Sequence, residues 1–449
     1  MPPVERVTVV GGGLAGSEAA WQLARHGVAV TLYEMRPQSS SPAHSTAGLA
    51  ELVCSNSFKG TDPSSATGSL KQELAVLGSL ILDSAHRTAV PAGAALAVDR
   101  EAFSASITAQ LEKHPLIDVV REEVTSLPGG RTIIATGPLT SAAMEDVLSE
   151  LVGTDRLAFY DAAAPIVDAA TVDTSITFAA SRYGKGGGAD YLNCPLDRAQ
   201  YEAFVAALTG ACRVRAHEFE QANLFQACQP VEEVARCGMD ALRFGALKPV
   251  GLTDPRTGER PWAVVQLRPE NAAGTAYNLV GFQTNLTFGE QRRVFGMIPG
   301  LAGAEFLRYG VMHRNTFIDA PSLLDPTLAL RRTPLIRIAG QLTGTEGYLE
   351  AAASGLLAAL NTMADLRGAP SLVPPPTTAL GALIGYATDP ATTDYQPMHV
   401  NWGLVPPLDP PVRGKRNRYV AYGQRAAGDL ARWADGHPLL ADREKGPRA

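Results

Sequence analysis

The chain has 449 residues, 45% hydrophobic and 19% charged, with a formal net charge of −6. A chain of this length buries roughly three quarters of its unfolded surface without disulfide staples. Its acidic balance argues against a protein that coats nucleic acid, while leaving room for a local basic patch. Five scattered cysteines without a CxxC pair exclude a disulfide scaffold, a zinc ribbon and a thioredoxin-like pair. A reducing, cytoplasmic setting fits that usage. No apolar run reaches the ~18 residues of a membrane span, the first strand starts too early for a secretory leader, and no metal is expected.

In chain order, Val7 to Val10 form an apolar run short enough to be a buried parallel strand. Gly11-Gly12-Gly13-Leu14-Ala15-Gly16 follows. Gly11 permits the tight turn, Gly13 lets a pyrophosphate approach the backbone, and Gly16 lets the next helix pack close to the strand. That helix is predicted to run to about His26 and to stop at Gly27, and Val28 to Tyr33 form a second strand. Glu34 lies 18 residues past Gly16, where a carboxylate can take both hydroxyls of an adenosine ribose. Strand, glycine turn, helix, strand and acid together form a Rossmann-like dinucleotide-binding unit.

Further on, Thr61 to Ser69 reads as a loop, Glu101 to Lys113 as a helix, and Arg131 to Gly137 as a strand ending in a small-residue turn. From about 155 to 320, glycine and proline punctuate short alternating segments, with Tyr183 to Gly188 as a flexible loop. This stretch is expected to be an inserted α+β domain. Leu335 to Ala339 then forms another buried strand, followed by Gly340-Gln341-Leu342-Thr343-Gly344-Thr345-Glu346-Gly347-Tyr348 and a small-residue helix from Glu350 to about Ala364.

The late glycine turn places backbone N–H groups and a partially positive helix N-terminus at one point. The pyrimidine end of a reduced flavin is anionic, so together the two glycine turns favour FAD over NAD. The expected architecture is α/β: a Rossmann-like FAD-binding domain of the two-dinucleotide-domain flavoprotein type, interrupted by the α+β insertion. Residues 1–155 supply its first part, 156–320 the insertion on the substrate side, and 321–449 its second part with a basic tail.

Free cysteines are mostly small buried hydrophobes, and Cys194 and Cys212 are read that way. Cys54 follows the second strand in a region able to reach a bound cofactor. Cys228 precedes Gln229-Pro230 and a short helix ending near Gly238. A thiol beside a helix N-terminus is favoured as thiolate, although Glu232 and Glu233 oppose that.

At this point the chain resembles the folate- and FAD-dependent tRNA (uracil-5-)-methyltransferases of bacteria. The matching stretches are Gly11 to Gly16 with Tyr33 to Pro37, Pro42 to Ser57, Asp190 to Pro195, Leu242 to Gly245 with Lys248 to Leu252, and His313 to Phe317 through Gly340 to Gly355. Gln396 to Met398 and Gly403 to Leu408 extend the match toward the C-terminus. The resemblance implies FAD held by Gly11, Gly12, Gly13, Leu14, Ala15, Gly16 and Glu34, and by Gly340, Gln341, Gly344, Glu346, Gly347 and Tyr348. It also implies methylenetetrahydrofolate as carbon donor and NADPH or NADH as reductant.

The family's working cysteines fall on Cys228 and Cys54. Carbon 5 of uracil is a poor nucleophile until a thiolate adds at carbon 6, which is nucleophilic catalysis; that role goes to Cys228. Cys54 either removes the carbon-5 proton or guards the flavin. Tyr348 stacks on flavin or folate, or belongs to the core. The substrate implied is the T-loop uridine of tRNA, splayed out of its stack. Arg413, Lys415, Arg416 and Arg418, with Arg292, Arg293, Arg331 and Arg332, either hold phosphates or are solvated surface charge.

The sequence departs from the family at Phe225-Gln226-Ala227, where an acid and a glycine are usual, and in the Gly186-Gly187-Gly188 loop. The rival readings are the larger FAD protein that modifies tRNA wobble uridines, for which the chain is short, a pyridine nucleotide–disulfide reductase, which lacks its cysteine pair here, and a non-catalytic flavin-containing RNA-binding protein.

Overall fold

The computed structural model describes residues 6–41, 43–152, 157–162, 164–214, 229–270, 274–310, 312–392 and 395–441, with backbone alone for 157–162, 312–314 and 441. Six strands form the first sheet, in the order Ala329–Leu330, Thr333–Ile338, Thr132–Ile134, Arg6–Val10, Ala29–Tyr33 and Ile117–Val120. All neighbours are parallel except the first pair. Val10 lies opposite both Tyr33 and Ile134, and Ile134 opposite Ile338. These strands are apolar runs rather than alternating ones because helices cover the sheet.

Strand Thr333–Ile338, from late in the chain, pairs with Thr132–Ile134 from early in it, so one sheet draws on both ends. The helix Leu14–Arg25 and the helix Tyr348–Leu366 pack directly on each other. Their approach needs glycine: a Cβ on Gly355 would strike the carbonyl of Ala15. Gly16 is needed for a different contact, since a Cβ there would strike the carbonyl of Gly11 within the turn. The late helix is rich in alanine and buried almost all round, as expected of a helix enclosed within a core.

A second six-stranded, antiparallel sheet lies within the intervening segment, in the order Phe178–Ala179, Leu192–Leu196, Ala263–Pro269, Ala276–Leu279, Ile166–Asp168 and Phe306–Arg308. It has its own apolar core, in which Phe204, Phe282 and Phe295 are fully buried. Leu157–Ala162 and Met312–Phe317 form a two-stranded antiparallel ribbon where the chain enters and leaves this region.

Two buried carboxylates tie helices of the first region together. Glu18 accepts from Ser79 Oγ at 2.6 Å and from the N–H groups of Leu80 and Ile81 at 3.2 and 3.0 Å. Glu73 accepts from the N–H groups of Ala379 and Leu380 at 2.8 Å each. Each satisfies helix-start donors that lack an intrahelical partner.

Candidate active site

The first glycine turn lies at the carboxyl end of the Arg6–Val10 strand, and the helix behind it starts at Leu14. Gly11 has φ +102°, and a Cβ there would collide with the Ala135 carbonyl. A Cβ on Gly13 would meet no atom of the described residues within 4 Å, so the space beside its backbone is open. Gly11, Gly12, Gly13, Glu34, Arg36, His44, Thr136, Thr140 and Met144 line a cleft here. Bare glycine backbone at a helix start, with an acid at the end of the next strand, fits the pyrophosphate and ribose of a dinucleotide.

Glu34 is almost fully buried. Its Oε1 accepts from Arg36 Nε at 2.9 Å and from the Arg36 N–H at 3.0 Å, and its Oε2 accepts from the Gly12 N–H at 3.0 Å. Burial raises its pKa, but the hydrogen bonds and charge of Arg36 outweigh that and hold it below the ordinary carboxylate range. Arg36 in turn donates to Glu51 at 2.8 Å. Burial and the nearby Arg36 charge together push His44 down to about 4, so this edge of the cleft carries a neutral imidazole at neutral pH.

The second glycine turn follows strand Thr333–Ile338 and meets the first. A Cβ built on Gly340 would lie 3.0 Å from the side chain of Ala15. Gly344 and Gly347 have φ +76° and +118°, where a side chain is strained. Gln341 donates to Glu346 at 2.8 Å, and the helix begins at Tyr348. Lys59 reaches Glu350 at 3.1 Å in the first turn of that helix.

Tyr348 is neither a free stacking surface nor simply core. Its hydroxyl accepts from the N–H groups of Cys54 and Ser55, at 3.0 Å each, and donates to the Ser55 carbonyl at 2.8 Å. Burial raises its pKa, keeping the phenol protonated. Cys54 therefore sits at the N-terminal end of the late helix. Its carbonyl accepts from Arg100 at 2.8 Å and from Arg308 at 3.0 Å. Arg100 also pairs with Glu270, and Arg268 donates to Asn56 at 2.7 Å. Among the described residues, three guanidiniums and the one carboxylate of Glu270 hold the Cys54–Asn56 stretch, and their charges sum to positive.

Cys228 lies outside the described residues. The helix after it, Val231–Arg236, has Pro230 as its N-cap rather than its first residue, and Cys237 as its C-cap, one position before Gly238. Val231 donates its N–H to the Gln283 carbonyl at 2.7 Å, and Val214 to the Asn285 carbonyl at 2.9 Å. Cys194 is buried, which pushes its thiol up to about 12, whereas Cys212 is exposed, not buried as expected. Among the described residues no group of three or more His, Cys, Asp or Glu could hold a metal ion, and no helix is long and apolar enough to cross a membrane.

The basic residues Arg413, Lys415, Arg416 and Arg418 are exposed around the start of the 21-residue helix Lys415–Asp435. Arg293 is paired with Glu290, Arg292 donates to the Tyr309 hydroxyl at 2.7 Å, Arg331 donates to the Thr388 carbonyl at 3.3 Å, and Arg332 is exposed. Sequence reasoning missed Arg100, Arg268 and Arg308, because none stands in a motif. It also missed the Glu34–Arg36 pair, although an acid and a base two positions apart at a strand end were a usable signal.

Two glycine turns converging on one mostly parallel sheet, with Cys54 held by the first residue of the second helix, define an FAD-binding flavoprotein. Residues 6–370 match the family described as Glucose inhibited division protein A. The chain is 57% identical over 428 residues to the methylenetetrahydrofolate–tRNA-(uracil-5-)-methyltransferase TrmFO of Geobacter sulfurreducens, covering 95% of this chain and 98% of the relative. It is 57% identical over 420 residues to that of Moorella thermoacetica, covering 93% and 96%. Among solved structures, GidA of Aquifex aeolicus superposes with a TM-score of 0.69 at 17% identity, covering 96% of this chain and 74% of that one. That likeness concerns the fold. The chain belongs to the Glucose inhibited division protein A family, and within it to the methylenetetrahydrofolate–tRNA-(uracil-5-)-methyltransferases.

Proposed function

We propose that this protein methylates carbon 5 of a uridine in tRNA, with methylenetetrahydrofolate as carbon donor and FAD as its working cofactor. The observation that carries the reading is the bond network of Tyr348: it fastens Cys54 to the start of the helix that closes the cofactor domain. The high identity to the methyltransferases over nearly their whole length supports this reading over wobble-uridine modification. The bound FAD would supply both the carrier for the one-carbon unit and the electrons that convert methylene to methyl.

The chain's own residues do the rest. Gly11 to Gly16 and Glu34 bind the adenosine and pyrophosphate end; Gly340 to Tyr348 bind the flavin end. Cys228 Sγ bonds to carbon 6 of uracil and drives electron density onto carbon 5, which attacks the incoming carbon. With the carbon-5 proton gone and the bond from the one-carbon unit to its carrier broken, a hydride equivalent would complete the methyl group and expel Sγ as the ring double bond re-forms. Cys54 stands beside this chemistry, as the base for that proton or as guard of the flavin face. Arg100, Arg268 and Arg308 supply net positive charge where an anion of RNA or folate arrives.

The substrate within tRNA is the T-loop uridine, and NADPH or NADH restores the reduced cofactor. Residues 156–320 form the RNA-facing insertion between the two parts of the cofactor domain, 1–155 and 321–449, and the protein works in the cytoplasm. The test supplies the reduced protein with labelled methylenetetrahydrofolate and unmodified tRNA. Label in the methyl group of a T-loop uridine supports the proposal. Label arriving from S-adenosylmethionine instead would overturn it.

A further inference from the structure

Three aromatic rings stand in a near-parallel stack on the insertion. Tyr309 stacks on Phe306 with ring centres 5.3 Å apart and planes 11° apart, and on Phe288 at 4.7 Å and 15°. Phe306 leans on the buried Phe295, which anchors the stack in the core of the antiparallel sheet. Phe288, at the outer end, is 54% exposed. It is the first residue of the helix Phe288–Phe295, whose next turn carries Arg292 and Arg293. Arg292 donates to the Tyr309 hydroxyl at 2.7 Å and so holds a cation at the edge of the stack.

The strand that carries Phe306 also reaches the candidate active site. Arg308, between Phe306 and Tyr309 in sequence, donates to the Cys54 carbonyl. Gln283, five positions before Phe288, accepts from Val231, which follows Cys228 by three positions. One short stretch thus links the Cys54 contact, the Val231 anchor and an exposed ring beside the Arg292 cation.

We propose that Phe288 is the platform on which an unpaired base of the RNA substrate stacks next to the methylation site, with Arg292 at the adjoining phosphate. This rests on the RNA-methylation reading above. Aromatic faces beside cations bind splayed-out single-stranded bases, since every base has a π-face and every nucleotide a charge. A flat platform open to solvent suits a macromolecular strand. A small cofactor would be enclosed on most of its surface.

The test compares the full-length protein with Phe288→Leu and Phe288→Trp. The RNA is an unmodified T-arm stem–loop. Leucine keeps apolar bulk and removes the ring face, so its KM for the stem–loop rises about tenfold, within the range for removal of one base stack. Its KM for methylenetetrahydrofolate and its flavin absorbance stay at the unaltered level. Tryptophan restores the KM, and its indole emission is quenched by the stem–loop but not by a fully paired duplex RNA.

A leucine variant with unaltered KM for RNA overturns the inference, as does a change confined to the folate KM or to the oligomeric state. If the unaltered protein transfers no label from methylenetetrahydrofolate to RNA, the functional reading fails. The fluorescence arm still reports on the stack by itself.

Discussion

The hydroxyl of Tyr348 and the backbone of Ser55, separated by 293 residues in sequence, are joined by a reciprocal pair of hydrogen bonds of 3.0 and 2.8 Å. The phenol also accepts from Cys54 at 3.0 Å. Phe at this position leaves two backbone donors without their acceptor, and a buried unmet donor costs ~1–3 kcal/mol. Tyr348→Phe should therefore lower the melting temperature, speed the alkylation of Cys54, and reduce methyl transfer at least tenfold while FAD remains bound. Mass spectrometry of iodoacetamide-labelled peptides, alongside a thermal melt, checks this. Unchanged Cys54 reactivity would show that the phenol does not position the loop.

Cys228 and Cys54 should separate on mutation. Cys228→Ala removes the group assigned to attack on carbon 6, so methyl transfer should fall to background while tRNA binding and flavin reduction persist. A gel-shift and an anaerobic reduction assay read the two retained properties. Full methyl transfer by Cys228→Ala would refute the nucleophile assignment.

The buried Glu73 makes stability depend on pH. Its carboxyl has an ordinary value of 4.5 when unfolded and is pushed up by burial to about 7 in the fold, against the opposing N–H bonds from Leu380 and Ala379. The folded state thus holds this proton more tightly than the unfolded one. Its contribution is fully present below pH 4.5 and is lost as pH rises through 7. The span corresponds to at most about 3 kcal/mol. Glu73→Gln cannot ionise, so its melting temperature relative to the unaltered protein should improve steadily from about pH 5 to about pH 8. A difference that stays constant across that range would rule out this titration.

The exposed cations Arg413, Lys415, Arg416 and Arg418 crowd the start of a helix whose dipole already makes that end positive. Such a placement costs stability unless an anion arrives. Replacing all four by Gln should leave the melting temperature unchanged or raise it, yet weaken RNA binding. The plot of log affinity against log salt should flatten by about 0.7–0.9 for each phosphate that is no longer neutralised. An unaltered slope would mark these residues as solvated charge.

What was legible in the sequence tracks the range of the physics involved. Gly11, Gly13 and Gly16 were readable because each glycine answers a constraint set by its immediate neighbours. The strands around Val9 and Ile336 were readable because buried parallel strands are continuous apolar runs. Most boundaries drifted by one or two residues: the strand at Thr333 starts before its apolar run, and the late helix begins at Tyr348, ahead of its alanine-rich stretch. The stretch read as a loop from Thr61 to Ser69 was a larger miss, since Ser65 caps a helix that already starts at Ala66. The task of Tyr348 was not readable, because its partners Cys54 and Ser55 lie at the other end of the chain. Arg100, Arg268 and Arg308 were equally silent, since three separated arginines gain meaning only when folding brings them around one carbonyl and its neighbours.

The contact between Ala15 and Gly355 also sets a schedule. Gly355 lies 340 positions after Ala15. At ribosomal rates of ~5–20 residues per second, the early helix waits roughly 20–70 s for the surface that covers it. Throughout that interval the nascent chain carries a small-residue helix face, joined once residue 134 is made by an open edge on the Thr132–Ile134 strand. The antiparallel insertion, with a core of its own, emerges complete in the meantime. The two ends of the cofactor domain therefore meet only after the insertion between them has been made, and the second glycine turn joins a cleft whose first wall is already old.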